Sequence, residues 1–280
     1  MSLTTSSAAA LLTPEQVGEL VVKPLSQASV ALQVSKVVPV ITSLRIPLVT
    51  SDASAGWTAE GAEIAASDLA TDEINIVPRK LAALSAISNE LANDSSPAAQ
   101  ATVGESIVRD LQRKLDAAFF GNTVANGPDG LLSITANAIS GGTVANGYTN
   151  LDWAESAKTN AEQHNTQITA FVCSPATALA LSTIKVFTSA GSNQHLLGAD
   201  PTLPGQRVVS GVPLLTSPAI SGNVIWAIPR ERSVVAMRQD ASLVPDSSVF
   251  FTSDRTAVRA TIRLSWAFTD AAAFSKVTLT

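Results

Sequence analysis

A cysteine or serine nucleophile needs a base beside it, and a metal centre needs several nitrogen, sulfur or carboxylate ligands. The 280-residue chain is poor in both, with Cys173 its only cysteine and His164 and His195 its only histidines. Two histidines exclude a His-rich metal site, and one cysteine excludes an intrachain disulfide. Cys173 closes the apolar run that begins at Ile168. That run reads as a buried strand, so the thiol is expected to fill core space. No Gly-x-Ser-x-Gly elbow, Walker loop, Gly-x-Gly-x-x-Gly loop or His-Glu-x-x-His pair occurs. What remains is acidic: Asp52, Glu60, Glu63, Asp68, Asp72 and Glu73 lie between Arg45 and Arg79 with no base among them. These acids lack the 12-residue calcium-loop spacing. They read as a solvated or partner-facing run. No catalytic residue, cofactor or metal ligand is assigned.

The elements that would position these groups follow from periodicity and punctuation. Thr13-Pro14-Glu15 has the signature of a short helix start. Val34 to Ile41 and Leu44 to Val49 read as strands interrupted by Pro39 and Pro47, which suits edge positions. Residues 50–78 hold the acids and have no compact core of their own, with Gly56 and Gly61 around Trp57. An extended hairpin reaching away from the body fits them. Residues 79–92 satisfy both helix and strand spacing. Then Ser96-Pro97 opens a helix with Val103, Ile107, Leu111, Leu115 and Phe119 on one stripe and Gly121 at its end. A helix over 97–120 is about 36 Å long. Further helices are expected at 151–164 and 175–184, with a strand at 168–173 between them. Residues 186–206 read as an exposed loop. Strands are expected at 207–209, 212–216, 224–228, 233–237, 248–252, 255–266 and 274–279.

Composition sets the function classes. Apolar residues make up 46% and charged residues only 15%, against about 25% charge in an average domain. Disorder is excluded by the aliphatic content. A net charge of −5 argues against a basic nucleic-acid binder. Ala, Ser and Thr supply 44, 32 and 26 residues, more than a third of the chain. Such a weakly charged surface suits a protein covered by other subunits, since lone domains keep charge for solubility. Met1 to Pro14 lacks a signal-peptide pattern, and the uncharged runs are broken by Gly and Pro, so no membrane span is expected and the chain reads as intracellular.

In order and spacing, these features resemble the major capsid protein family of tailed bacteriophages, with the Hong Kong 97 fold. The residues carrying the resemblance are Trp57-Thr-Ala-Glu60, Ile74-Asn-Ile76, Pro78-Arg-Lys-Leu-Ala82 and Ile87-Ser-Asn-Glu-Leu91 with Asp94-Ser95. The capped helix to Phe119-Phe120-Gly121 follows, then Gly127-Pro128-Asp129-Gly130, and Val234 to Arg238 through Arg255 to Phe274. The resemblance covers about residues 40–280. It implies an α+β subunit with an N-terminal arm at 1–40 and an extended loop at 50–78. It implies a peripheral domain at 41–49 and 79–149 with its spine helix at 97–120. An axial domain at 150–230 and peripheral return strands at 231–280 complete it. It also resolves 79–92 into a strand to about 87 followed by a short helical turn. The implied function is structural: self-assembly into an icosahedral shell of pentamers and hexamers around double-stranded DNA, in a virion assembled in the host cytoplasm. An encapsulin-type cage holding cargo enzymes is the alternative. Some family members weld subunits through a lysine in the extended loop, but no lysine lies between Lys36 and Lys80. That cross-link is therefore not expected. With Met1 present and only about 40 residues ahead of the body, scaffolding is expected to be a separate protein, alongside portal and decoration proteins.

Charge placement supplies the candidate contacts. Residues 46–78 carry six acids and no base, whereas 230–263 carry six arginines against four acids. The expected inter-subunit residues are Trp57, Glu60, Glu63, Asp68, Asp72 and Glu73 on one side. Arg109, Arg113, Arg238, Arg255, Arg259 and Arg263 are expected on the other. Contact with packaged DNA should be weak and sequence-independent, because a net negative chain neutralises few phosphates.

Overall fold

The computed structural model describes residues 25, 29–51, 57–59, 61, 70–88, 97–144, 147–185, 194–197, 207–220, 222–238 and 242–279. The expected helix at Thr13, most of the arm and most of the 186–206 loop lie outside these residues. So does the helical turn after residue 88. The helices are α1 (Val30–Gln33), α2 (Pro97–Phe120), α3 (Asp152–Gln163) and α4 (Pro175–Thr183). The strands fall into two sheets and a hairpin.

The hairpin pairs β2 (Leu44–Ser51) with β3 (Ala70–Ile76) antiparallel. The five-stranded sheet is built on β13 (Arg255–Phe268). On one side lies β4 (Arg79–Ser88), paired from Arg255↔Ser88 to Leu264↔Arg79. On the other side β11 (Ser233–Arg238) and β12 (Ser242–Phe250) follow one another antiparallel to β13. The turn between β12 and β13 closes on Asp254 in the left-handed region, a conformation Asp tolerates. Parallel to β11 runs β1 (Lys36–Val40), an edge strand, which is where Pro39 is tolerated. Pro245 likewise sits on β12, a strand with β13 as its one partner. The expected strand at 248–252 thus begins further back, at Ser242, and ends at Phe250.

The seven-stranded sheet has the order β6 (Gly147–Tyr148), β5 (Asn137–Thr143), β14 (Ser275–Leu279), β10 (Val224–Ile228), β7 (Ala170–Cys173), β9 (Val212–Thr216) and β8 (Arg207–Val209). Its membership departs from the expected partition. Residues 275–279 were expected to return with β11 to β13, and 137–148 to belong with the long helix. Instead β14 pairs antiparallel with β10 and parallel with β5. The chain changes sheet in the turn at 271–273, where the Asp270 carboxylate accepts the Ala272 amide. Alternation marks a strand, but it does not say which sheet the strand joins.

Alternation does explain the burial. In β13, Ala260, Ile262, Leu264 and Trp266 face α2, where Ile107, Val108, Leu111, Leu115, Phe119 and Phe120 form the buried stripe. Phe119 meets Trp266 and Phe268 edge-on at 5.3 and 5.5 Å. The seven-stranded sheet is buried on both faces. Trp226, Ile228 and Val172 join the core under α2, while Ile225, Ala227, Phe171 and Cys173 pack under α3 and α4. A third cluster seats the hairpin base on the sheet through Val40, Ile76, Val234 and Ala236. Helix α2 stops where the backbone of the following turn comes in close. A Cβ on Gly121 would lie 2.5 Å from the Ala117 carbonyl, and one on Gly130 would meet the carbonyls of Ala118 and Gly121. The Leu132 amide closes the turn onto the Gly121 carbonyl at 2.9 Å.

Candidate assembly surface

The hairpin is two-faced. Leu44, Ile46 and Ile74 on one face are half-buried against the cluster of Val38, Val234 and Ala267. Arg45, Pro47, Glu73 and Asn75 on the other are exposed. Arg45 pairs with Glu73 at 3.5 Å, with both side chains more than half exposed, so the pair contributes about 0–1 kcal/mol. Beyond the paired strands Trp57 is 107% exposed, the most exposed large apolar side chain among the described residues. The other three tryptophans are buried.

The structure does not gather the expected cations into one surface. Arg255, Arg259 and Arg263 alternate with Ala257 and Thr261 on the face of β13 that points away from α2. Arg238 lies on that same face, opposite Val40. Asp246 on β12 is held below the usual carboxylate range, first by the Ser248 hydroxyl and amide and in smaller part by Arg259. Arg109 and Arg113 are exposed on α2, on the other side of the sheet. Asp72 and Glu73 are exposed on β3, while Glu60, Glu63 and Asp68 lie outside the described residues.

One apolar depression opens beside the end of α2. It measures about 310 Å3 and lies between β4, the last turns of α2 and the loop at 124–128. Leu115, Ala118, Val124, Pro128 and Trp266 line it, together with Arg79, Lys80 and Lys114. Sequence reading missed this feature because its walls come from four separated stretches. The only local signal was Pro78-Arg-Lys-Leu-Ala82, cations next to an apolar strand. A second groove shares Arg79, Pro128 and Trp266 with it and extends it past Asp129 and Ile134.

The chemistry-bearing residues have structural surroundings. Cys173 is fully buried, and burial pushes its thiol up to about 12, far from a working nucleophile. His164 Nδ1 lies 3.1 Å from an Asp270 carboxylate oxygen and ties the end of α3 to the 271–273 turn. His195 takes part in a backbone bridge with Lys185. Among the described residues no three His, Cys, Asp or Glu side chains gather as a metal site, and no helix is long and apolar enough to cross a membrane.

The described residues form two sheets around a long helix, with a hairpin seated on one sheet. The model of the phage capsid family matches residues 9–279, and the chain belongs to that family. Its fold is similar to solved capsid structures. The capsid of an empty GTA particle computed with C5 symmetry is 20% identical over 90% of both chains, with a TM-score of 0.73. The chain from Mycobacterium phage Bobi is 13% identical over 90% of both, with a TM-score of 0.72. That from Microbacterium phage Oxtober96 is 18% identical over 90% and 91%, with a TM-score of 0.71. No curated protein matches. The chain is thus a structural major capsid protein of Hong Kong 97-like fold. It is not an enzyme, it assembles into oligomeric shells, and its place is the capsid of the virion. The encapsulin alternative is not favoured.

Proposed function

We propose that the shell is icosahedral, built from pentamers and hexamers of this chain, and that it encloses double-stranded phage DNA. In this reading the five-stranded sheet with α2 is the peripheral module. The seven-stranded sheet is the axial module that meets at the five- and six-fold centres. The β2–β3 hairpin is the extended loop, and residues 1–40 are the arm. The observation that carries the reading is Trp57, wholly exposed in the segment that joins β2 to β3, in a chain with 15% charged residues. Interfaces use large aromatic side chains as anchors, and tryptophan is among the most frequent of them.

The acidic segment of one subunit, with Trp57, Glu60, Glu63, Asp68, Asp72 and Glu73, lies over cationic surface of the next. Each exposed pair contributes about 0–1 kcal/mol, but several contacts repeat on every subunit. Assembly proceeds in the host cytoplasm with separate scaffolding, portal and decoration proteins. DNA contact is weak, because the net charge of −5 allows few phosphate contacts. The test is sedimentation of the purified chain and of Trp57→Ala and Glu63→Lys variants. The unmodified chain should sediment as particles, and both variants should lose particles or dissociate at lower salt. Particles of unchanged salt resistance would contradict the loop contact.

A further inference from the structure

We infer that the depression beside the end of α2 is the receptor for Trp57 of a second copy of this chain. The inference rests on the shell reading above and adds the site to it. A pocket of about 310 Å3 is at the small end of ligand sites, the scale of one large side chain. Its floor is Leu115, Leu264 and Trp266, each buried, and its rim includes Val124, which is 43% exposed. The exposed apolar part is the rim at Val124, which a partner side chain seated in the depression would cover.

Charge selects the occupant. Arg79, Lys80 and Lys114 are exposed lining residues, and no acid lines the pocket itself. Among the described residues these three form no ion pair. Trp57 is flanked in sequence by Asp52, Glu60 and Glu63 with no base nearby. An aromatic anchor between acids thus matches an apolar pocket among bases. Electrostatic complementarity of this kind fixes register and partner choice. It also decides between the two cationic faces. Arg109 and Arg113 lie on the exposed side of the helix that leads to the pocket, whereas Arg255, Arg259 and Arg263 lie on the opposite face of the sheet. The docked segment therefore meets the α2 side.

The test uses full-length chains assembled into particles from two populations, one Trp57→Cys and one Ala125→Cys. Ala125 lines the pocket and is exposed, and native Cys173 is fully buried. Mild oxidation should give a disulfide-linked dimer that needs both populations. It should give none when Ala125→Cys is replaced by Ser156→Cys on α3. Mixed particles without that dimer would overturn the pocket assignment and leave the shell standing. Absence of particles from the unmodified chain would overturn the shell reading itself. If the cysteine chains do not assemble, iodide quenching of unmodified particles decides. Trp57 is the only exposed tryptophan, so quenching should fall several-fold on assembly, to the level of Trp57→Phe particles. Undiminished quenching would overturn the inference.

Discussion

Asp116, on α2, is a carboxylate only 3% exposed. It accepts the Ser29 hydroxyl at 2.6 Å and the Ala31 and Val30 amides at 3.2 and 3.4 Å, so it clasps the start of α1 to the long helix. Burial raises its pKa above the usual carboxylate value, and the three hydrogen bonds only partly offset that. The folded state therefore holds the proton more tightly than the unfolded chain. Its titration contributes stability below the ordinary carboxylate pKa, and that contribution is lost as pH rises through the raised folded value. Asp116→Ala, which strands three donors, should cost about 1–3 kcal/mol and lower the melting temperature by several degrees. The stability difference between the natural chain and Asp116→Asn, followed by denaturant unfolding, should shrink from about pH 4 upward. A difference that grows with pH would contradict the burial account. Cys173 gives a second test at this scale. With its thiol pushed up to about 12, it should resist a thiol reagent at pH 8 in folded protein and react fully in denaturant. Rapid labelling of folded protein would contradict its burial.

The end of α2 depends on two backbones touching. Gly130 has an ordinary φ of −90°, so its requirement is spatial rather than conformational. Gly130→Ala would push the 127–130 turn off the carbonyls of Ala118 and Gly121 and should cost about 1–3 kcal/mol. A melting temperature equal to that of the natural chain would contradict the account. Helix α2 was legible because its apolar residues recur at helical spacing between Pro97 and Gly121. Strands β8 and β9 were legible because Ser210 and Gly211, both at positive φ, make the tight hairpin turn between them. The placing of β14 between β5 and β10 was not legible, since sheet membership is a non-local choice. Pro245 hid the start of β12, because a proline reads as a break until the strand is known to be an edge. The pocket was hidden for the same non-local reason as β14. The cations were legible as residues, but their division between two faces of the sheet was not.

At the scale of the whole molecule, the scarcity of charge and the exposed apolar residues have one cause. Trp57, Ile41, Val77, Leu84 and Val249 are exposed on the isolated chain and call for cover by neighbours. In the proposed shell, neighbouring subunits supply that cover. Negative-stain electron microscopy of the expressed, unmodified chain is the most direct measurement. The account predicts closed shells of regular diameter in which the β2–β3 hairpin crosses onto a neighbouring subunit. A chain that stays monomeric under every condition of salt and concentration would contradict it.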